Sequence, residues 1–157
     1  MKILYVHHAE RDRISICSDR QLQDITENGI KETKILGEKL KNLNLNIKGI
    51  YSSPYLRCMH TAEIINSYID VPIYEEPLFN EMNSSETWKE FSLRNMKAID
   101  NIINKHNDED FIICISSGVN LSPFIYYFNN ISPTNDSPKI QALTTSPVLF
   151  STDGSCL

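Results

Sequence analysis

Two histidines in succession, His7-His8, close the apolar run Ile3 to Val6, and Ala9-Glu10-Arg11 follows them: a small residue, an acid and a base. An imidazole can serve as nucleophile, as general acid or base, or as a metal ligand. A plainer reading of such a pair makes one ring buried and hydrogen-bonded and the other solvated. Two further apolar runs end in hydroxyls. Gly49-Ile50-Tyr51 runs into Ser52-Ser53, and Phe111 to Ile115 runs into Ser116-Ser117-Gly118. Arg57 comes one helical turn after the second run, and Arg11 lies just past the first. If the three ends share one rim, an imidazole is flanked there by guanidiniums and by hydroxyls at helix N-termini. That is an anion site, most naturally for a phosphoryl group.

Such a rim exists only if the runs are parallel strands, and the intervening sequence predicts this. Ile3 to Val6 is short and apolar enough for a buried strand. Arg11 to Asp24 reads as a polar loop over its end. Thr26 can cap a helix and Glu27 suits its positive end, with Ile30, Leu36, Leu40 and Leu43 on the apolar face. After the second strand, Gly49 to Ser53, Pro54 opens a helix from Tyr55 to Ile69, with Leu56, Met59, Ala62, Ile65 and Ile69 inward. Val71 to Tyr74 is a third strand, and Glu75 to Ser85 a loop. Trp88, Phe91, Met96, Ile99 and Ile102 mark a helix from about Glu86 to Lys105. Phe111 to Ile115 is apolar on both faces, as a central parallel strand should be. A helix from Val119 to Phe128 follows, then two short strands, Ile140 to Leu143 and Val148 to Ser151. Strands alternating with helices predict an α/β fold, a mostly parallel sheet between two helical layers. In such sheets chemistry sits outside the carboxyl ends of the strands.

The chain has 157 residues, expected to form one domain over 1–157. It is 41% hydrophobic and 22% charged, a globular balance, and its net charge of −5 argues against nucleic acid as the main partner. A local basic pocket needs only a few arginines among the carboxylates. No apolar stretch approaches the roughly 18 residues of a membrane span, and the first residues enter a strand rather than a signal segment. A cytoplasmic location is the expectation, with no membrane partner. The four cysteines, Cys17, Cys58, Cys114 and Cys156, have no CxxC spacing and suit a reducing compartment. No cluster has metal-ligand spacing and there is no GxxxxGK[ST] loop, so neither metal nor other cofactor is expected.

Tyr51-Ser52-Ser53-Pro54-Tyr55-Leu56-Arg57-Cys58-Met59-His60-Thr61-Ala62-Glu63-Ile64 resembles the "SSPLxRxxQTAEI" segment of the histidine phosphatase superfamily, the phosphoglycerate mutase-like proteins. Thr26-Glu27-Asn28-Gly29 with Leu36-Gly37-Glu38-Lys39-Leu40 resembles that family's "LTExGxxQAxxLGxxL", and Val6 to Arg11 stands where it has "RHGE" or "RHGxR". The resemblance covers about the first three-quarters of the chain and implies a Rossmann-like α/β/α sandwich. It also implies that His8 attacks phosphorus and becomes a phosphohistidine, and that Arg57 holds the phosphoryl oxygens. Glu81 is the best match for the acid that protonates the leaving oxygen, and Glu76 is a poorer one.

Two positions depart from the family pattern. His7 replaces the arginine of "RHG", with Ala9 in place of its glycine, and Ser117 replaces the second histidine of a "VSHGG" turn. A neutral imidazole and a hydroxyl add donors but no charge. Arg11 either compensates, as a second arginine at that offset in one branch of the family, or is an exposed loop residue. Each lost phosphoryl donor typically costs on the order of 10²–10³ in rate. Two readings follow. One is a hydrolase acting through His8 on a phosphomonoester or phosphoprotein, with activity impaired or specialised and a site open for lack of large insertions. The other is a family member without turnover that binds an anion or a partner. Of the remaining candidates, His60 reads as structural, His106 as serving a helix end, and Trp88 as core.

Overall fold

The computed structural model describes residues 1–14 and 18–153. Cys17 and Cys156 lie outside the described residues, as does the middle of the Arg11–Asp24 loop. The described cysteines, Cys58 and Cys114, are buried free thiols.

A five-stranded sheet runs in the order β3-β2-β4-β1-β5. Its strands are β1 (Lys2–His7), β2 (Ile47–Ser52), β3 (Ile73–Glu75), β4 (Phe111–Ser116) and β5 (Pro147–Ser151). β1, β2, β3 and β4 are parallel, and β5 lies antiparallel on β1. β4, buried at every residue, is the central strand that its two-faced apolarity predicts. Side chains alternate across the sheet, so each strand feeds two cores. Leu4, Val6, Ile50, Ile113 and Ile115 pack under α1 (Glu27–Asn42) and α2 (Leu56–Ile69), against Leu36, Leu40, Ala62 and Ile65. Ile3, Tyr5, Ile112 and Cys114 pack on the other face, under α3 (Trp88–Ile103) and α4 (Leu121–Phe128), against Ala98, Ile99, Ile102 and Phe124. This is the α/β/α sandwich read from the sequence. No helix among the described residues is long and apolar enough to cross a membrane.

The differences are local. Leu43 and Leu56, expected inward, are exposed, because each stands at a helix terminus where the apolar stripe has turned from the sheet. Ile140–Leu143 is not a strand. Its backbone ties singly to the turns of the rim: Ala142 N donates to Gly118 O at 3.0 Å, and Ile140 N donates to Ser122 Oγ at 2.7 Å. A 3₁₀ turn, Gly118–Asn120, precedes α4, so that helix starts two residues later than its sequence suggests.

The three polar strand ends share one rim. β1 and β2 both flank β4, with His7 opposite Ser116 and Ser52 opposite Ile115. The ladder continues one step beyond each strand: His8 N donates to Ser116 O at 2.9 Å and Ser53 N to Ile115 O at 3.0 Å.

Candidate functional site

His8 sits just past β1, 5% exposed. Its Nδ1 lies 2.7 Å from the carbonyl oxygen of Ala9. A carbonyl only accepts, so Nδ1 carries the proton and Nε2 is the unprotonated nitrogen, whose lone pair accepts from Arg57 Nε at 3.1 Å. Burial, and then the His7 ring beside it, lower the His8 pKa to about 3, so the ring is neutral at physiological pH. A neutral imidazole with its proton fixed on the far nitrogen is ready to act as a nucleophile through Nε2. The turn holding it is tied to α2, since Thr61 Oγ1 accepts from Ala9 N at 3.0 Å and donates to Arg57 O at 2.6 Å.

Arg57, on the first turn of α2, is fully buried under the rim. Three of its donors are engaged. Nε points at His8 Nε2 from 3.1 Å, Nη1 donates to the carbonyl of Arg20 at 2.5 Å, and Nη2 donates to Glu81 Oε1 at 2.5 Å. The other oxygen of Glu81 accepts from Arg20 Nη2 at 2.9 Å. One carboxylate is thus gripped by two guanidiniums directly beside His8. Glu81 itself is placed by α3: Arg94 pairs with Glu86 at 2.6 Å and also donates to the carbonyls of Leu78, Asn80 and Glu81. Glu76 is elsewhere. It caps the turn Pro77–Phe79 and lines a different cavity, with Tyr74 and His106.

His8, Glu81, His7, Arg11 and Ser117 line one open cavity of about 740 Å³. His7 Nδ1 lies 2.9 Å from the carbonyl of Ala142, so its proton is engaged there and the neutral ring offers only a lone pair at Nε2. Burial lowers the His7 pKa, which favours that neutral form. Gly118 admits this ring, because a Cβ there would stand 3.0 Å from His7 Cε1 and 2.9 Å from Ala142 O. Ser117 is buried beside the cavity and donates to Asn120 Oδ1 at 2.6 Å. Arg11, partly buried, stands opposite Ile25 in an isolated β-bridge, and its side chain forms no hydrogen bond or ion pair with the described residues. Burial, then the neighbouring Arg57, Arg20 and Arg13, lower its pKa. Burial pushes the thiol of Cys58, next to Arg57 in sequence, up to about 12, which removes it as a competing nucleophile. Among the described residues no group of His, Cys, Asp or Glu side chains is arranged to hold a metal ion.

Residues 6–85 match the histidine phosphatase superfamily (branch 1), just over half of the chain. The chain belongs to this superfamily. Solved structures agree on the fold. YhfR from Bacillus stearothermophilus superposes with a TM-score of 0.74 at 20% identity, covering 94% of this chain and 89% of that one. The phosphoserine phosphatase of Entamoeba histolytica, in complex with 3-phosphoglyceric acid, gives 0.74 at 19% identity and covers 95% and 89%. The protein histidine phosphatase SixA, complexed with tungstate, gives 0.69 at 15% identity over 98% and 91%. No curated protein sequence matches the chain.

In this member of the superfamily several site-building residues escape sequence reasoning. Arg20 falls in the stretch that the sequence gives as a polar loop, where it opens a 3₁₀ turn, Arg20–Leu22, and only its approach to Arg57 and Glu81 distinguishes it. Asn120 Oδ1 accepts from the Ser117 hydroxyl and its Nδ2 donates to Asn95 Oδ1 at 2.8 Å, an internal pairing with no sequence signature. Thr61 lay inside the matched segment, so the motif held that signal. His60 pairs with Asp24 at 2.7 Å, half-exposed, in the structural role expected. His106 lies three residues past the end of α3, and its Nε2 is 2.9 Å from the hydroxyl of Tyr51. Trp88 is buried against Phe91.

Proposed function

We propose that this chain is a phosphatase-like protein acting on a phosphomonoester or phosphoprotein through His8. The observation that carries this reading is the tautomer of His8: neutral, with Nδ1–H held by Ala9 O and Nε2 aimed at the buried guanidinium of Arg57. In the first step the His8 Nε2–P bond forms as the P–O bond to the leaving group breaks. The leaving oxygen takes the proton of the Glu81 carboxyl, and Nδ1–H stays on Ala9 O, supporting the cationic phosphorylated ring. In the second step water attacks phosphorus, the N–P bond breaks, and the proton of the water returns to Glu81. Orthophosphate leaves and neutral His8 is restored. Arg57 stabilises the charge on the phosphoryl oxygens throughout. The substrate must first displace the Glu81 carboxylate from Arg57, and the freed group takes up, from the substrate monoanion or from water, the proton that it then gives to the leaving oxygen.

The engagement of Arg57 with Arg20 O and Glu81 favours a second reading, a family member that binds anions without turnover. His7 and Ser117 add no charge to compensate. Covalent chemistry separates the two. The protein is incubated with an aryl phosphate, quenched at alkaline pH and mapped by mass spectrometry. Phosphate on His8, lost in His8→Ala, is the expected result. Turnover-free binding with no phosphohistidine overturns the first reading in favour of the second.

A further inference from the structure

Glu81 is held as an anionic ligand would be. Its two oxygens are gripped by guanidiniums from different elements, Oε1 by Arg57 Nη2 at 2.5 Å and Oε2 by Arg20 Nη2 at 2.9 Å. A carboxylate and a phosphoryl group both present paired oxygens to such forks, and arginine suits both. The surrounding residues make Arg20 the more telling partner. His7 donates its ring N–H to Ala142 O, and Ser117 donates its hydroxyl to Asn120 Oδ1. The two positions that differ from the family pattern therefore have neither charge nor a free donor to offer an anion. Arg20 has both. Its side chain is 65% exposed at the cavity mouth, so it can follow a ligand, and its carbonyl is anchored on Arg57 Nη1, which keeps the residue at the site.

We propose that Arg20 is a phosphoryl-binding residue of this site, and that Glu81 holds the place of the phosphoryl oxygens between Arg20 and Arg57 until a phosphoryl group displaces it. This rests on the reading of the cavity as a phosphoryl site. When the anion enters, both guanidiniums transfer from the carboxylate to phosphoryl oxygens. The charge that His7 and Ser117 lack is then supplied from the loop after β1. The anion must compete with a resident carboxylate, so the native protein binds phosphate more weakly than its pocket allows.

Calorimetric binding of inorganic phosphate to the native protein and to Glu81→Gln, Arg20→Gln and the double variant tests this. Glu81→Gln is expected to tighten binding severalfold. Arg20→Gln in the Glu81→Gln background is expected to weaken it by about tenfold, with partial rescue by Arg20→Lys. If Arg20 merely held Glu81, its replacement in the Glu81→Gln background would change nothing, and that result overturns the proposal. Arg57→Lys separates this failure from failure of the phosphoryl site. Binding that depends on Arg57 but not on Arg20 sinks only the role of Arg20. Binding that is absent, or indifferent to Arg57, sinks both. Arg20 is exposed and its replacement leaves the core intact, which matching thermal unfolding curves check.

Discussion

At the scale of single residues, the site is well ordered around His8 and under-supplied with donors opposite it. Ser117 is the position where this can be corrected. It lies at the carboxyl end of β4, next to the end of β1, on the wall of the cavity that His8 also lines. Its hydroxyl proton is engaged by Asn120, so an incoming phosphoryl oxygen finds an acceptor there rather than a donor. A histidine at this position has an open cavity of about 740 Å³ to enter, and when protonated adds a charge. Ser117→His is expected to raise hydrolysis of a generic aryl phosphate by about tenfold or more, or about 1.4 kcal/mol of transition-state stabilisation. Adding His7→Arg should raise it further, because a guanidinium can satisfy Ala142 O and still present donors to the cavity. His8→Ala must abolish the gain. If neither variant gains activity while folded, the site has drifted beyond repair and the non-catalytic reading is the better one.

Among the elements, α2 carries Arg57 to His8, and one small residue of α1 permits the close packing of α1 on α2. A Cβ on Gly37 of α1 would stand 2.5 Å from Cδ2 of Tyr68 on α2, close to the root of the ring, where a rotamer change gives little relief. Gly37→Ala gains up to about 1 kcal/mol of helix propensity but forces the helices apart, an overpacking that typically costs about 1–3 kcal/mol. A net loss of about 1 kcal/mol in urea unfolding is expected, with weaker phosphate binding as α2 shifts; greater stability with unchanged binding argues against the contact. Much of this scale was legible in the sequence. Phe111 to Ile115 announced the central strand, and the polar ends of three apolar runs announced the rim, because strand burial and parallel order are local consequences of composition. Leu36-Gly37 was visible as a motif, but its partner Tyr68 was not, since contact between helices is set by the fold. Arg20 and Asn120 were invisible for the same reason: each acts through side chains distant in sequence. Ile140 to Leu143 misled because its apolar residues meet single hydrogen-bond partners at the rim instead of a strand edge.

For the whole molecule, the site leaves a signature in acid stability. His8 is buried among His7, Arg57 and Arg11, all of which disfavour a second positive charge, and only the carbonyl of Ala9 favours it. Its pKa is about 3 in the folded chain against an ordinary value of about 6.5 when unfolded. Between those values the unfolded chain holds a proton that the folded chain does not. Stability therefore rises with pH across this window and is lost as pH falls through about 6, by up to about 1.4 kcal/mol per pH unit. Burial lowers the His7 pKa and adds to the effect in the same direction. Glu86, held below the usual carboxylate range by its hydrogen bonds from Arg94, also loses its contribution on acidification, but only below about pH 4.3. From pH 7 to 5 the change thus belongs to the rim histidines rather than to that carboxylate. Urea unfolding of the native protein and of His8→Asn at both pH values isolates the share of His8. The native protein is expected to lose about 1–2 kcal/mol more than the variant on going to pH 5. The His8 Cε1–H resonance should not titrate above about pH 4 while the protein remains folded. Equal losses in the two proteins, or a ring that titrates near 6.5, would mean that His8 is not held neutral, and the nucleophile proposed for this site would be protonated under mildly acidic conditions.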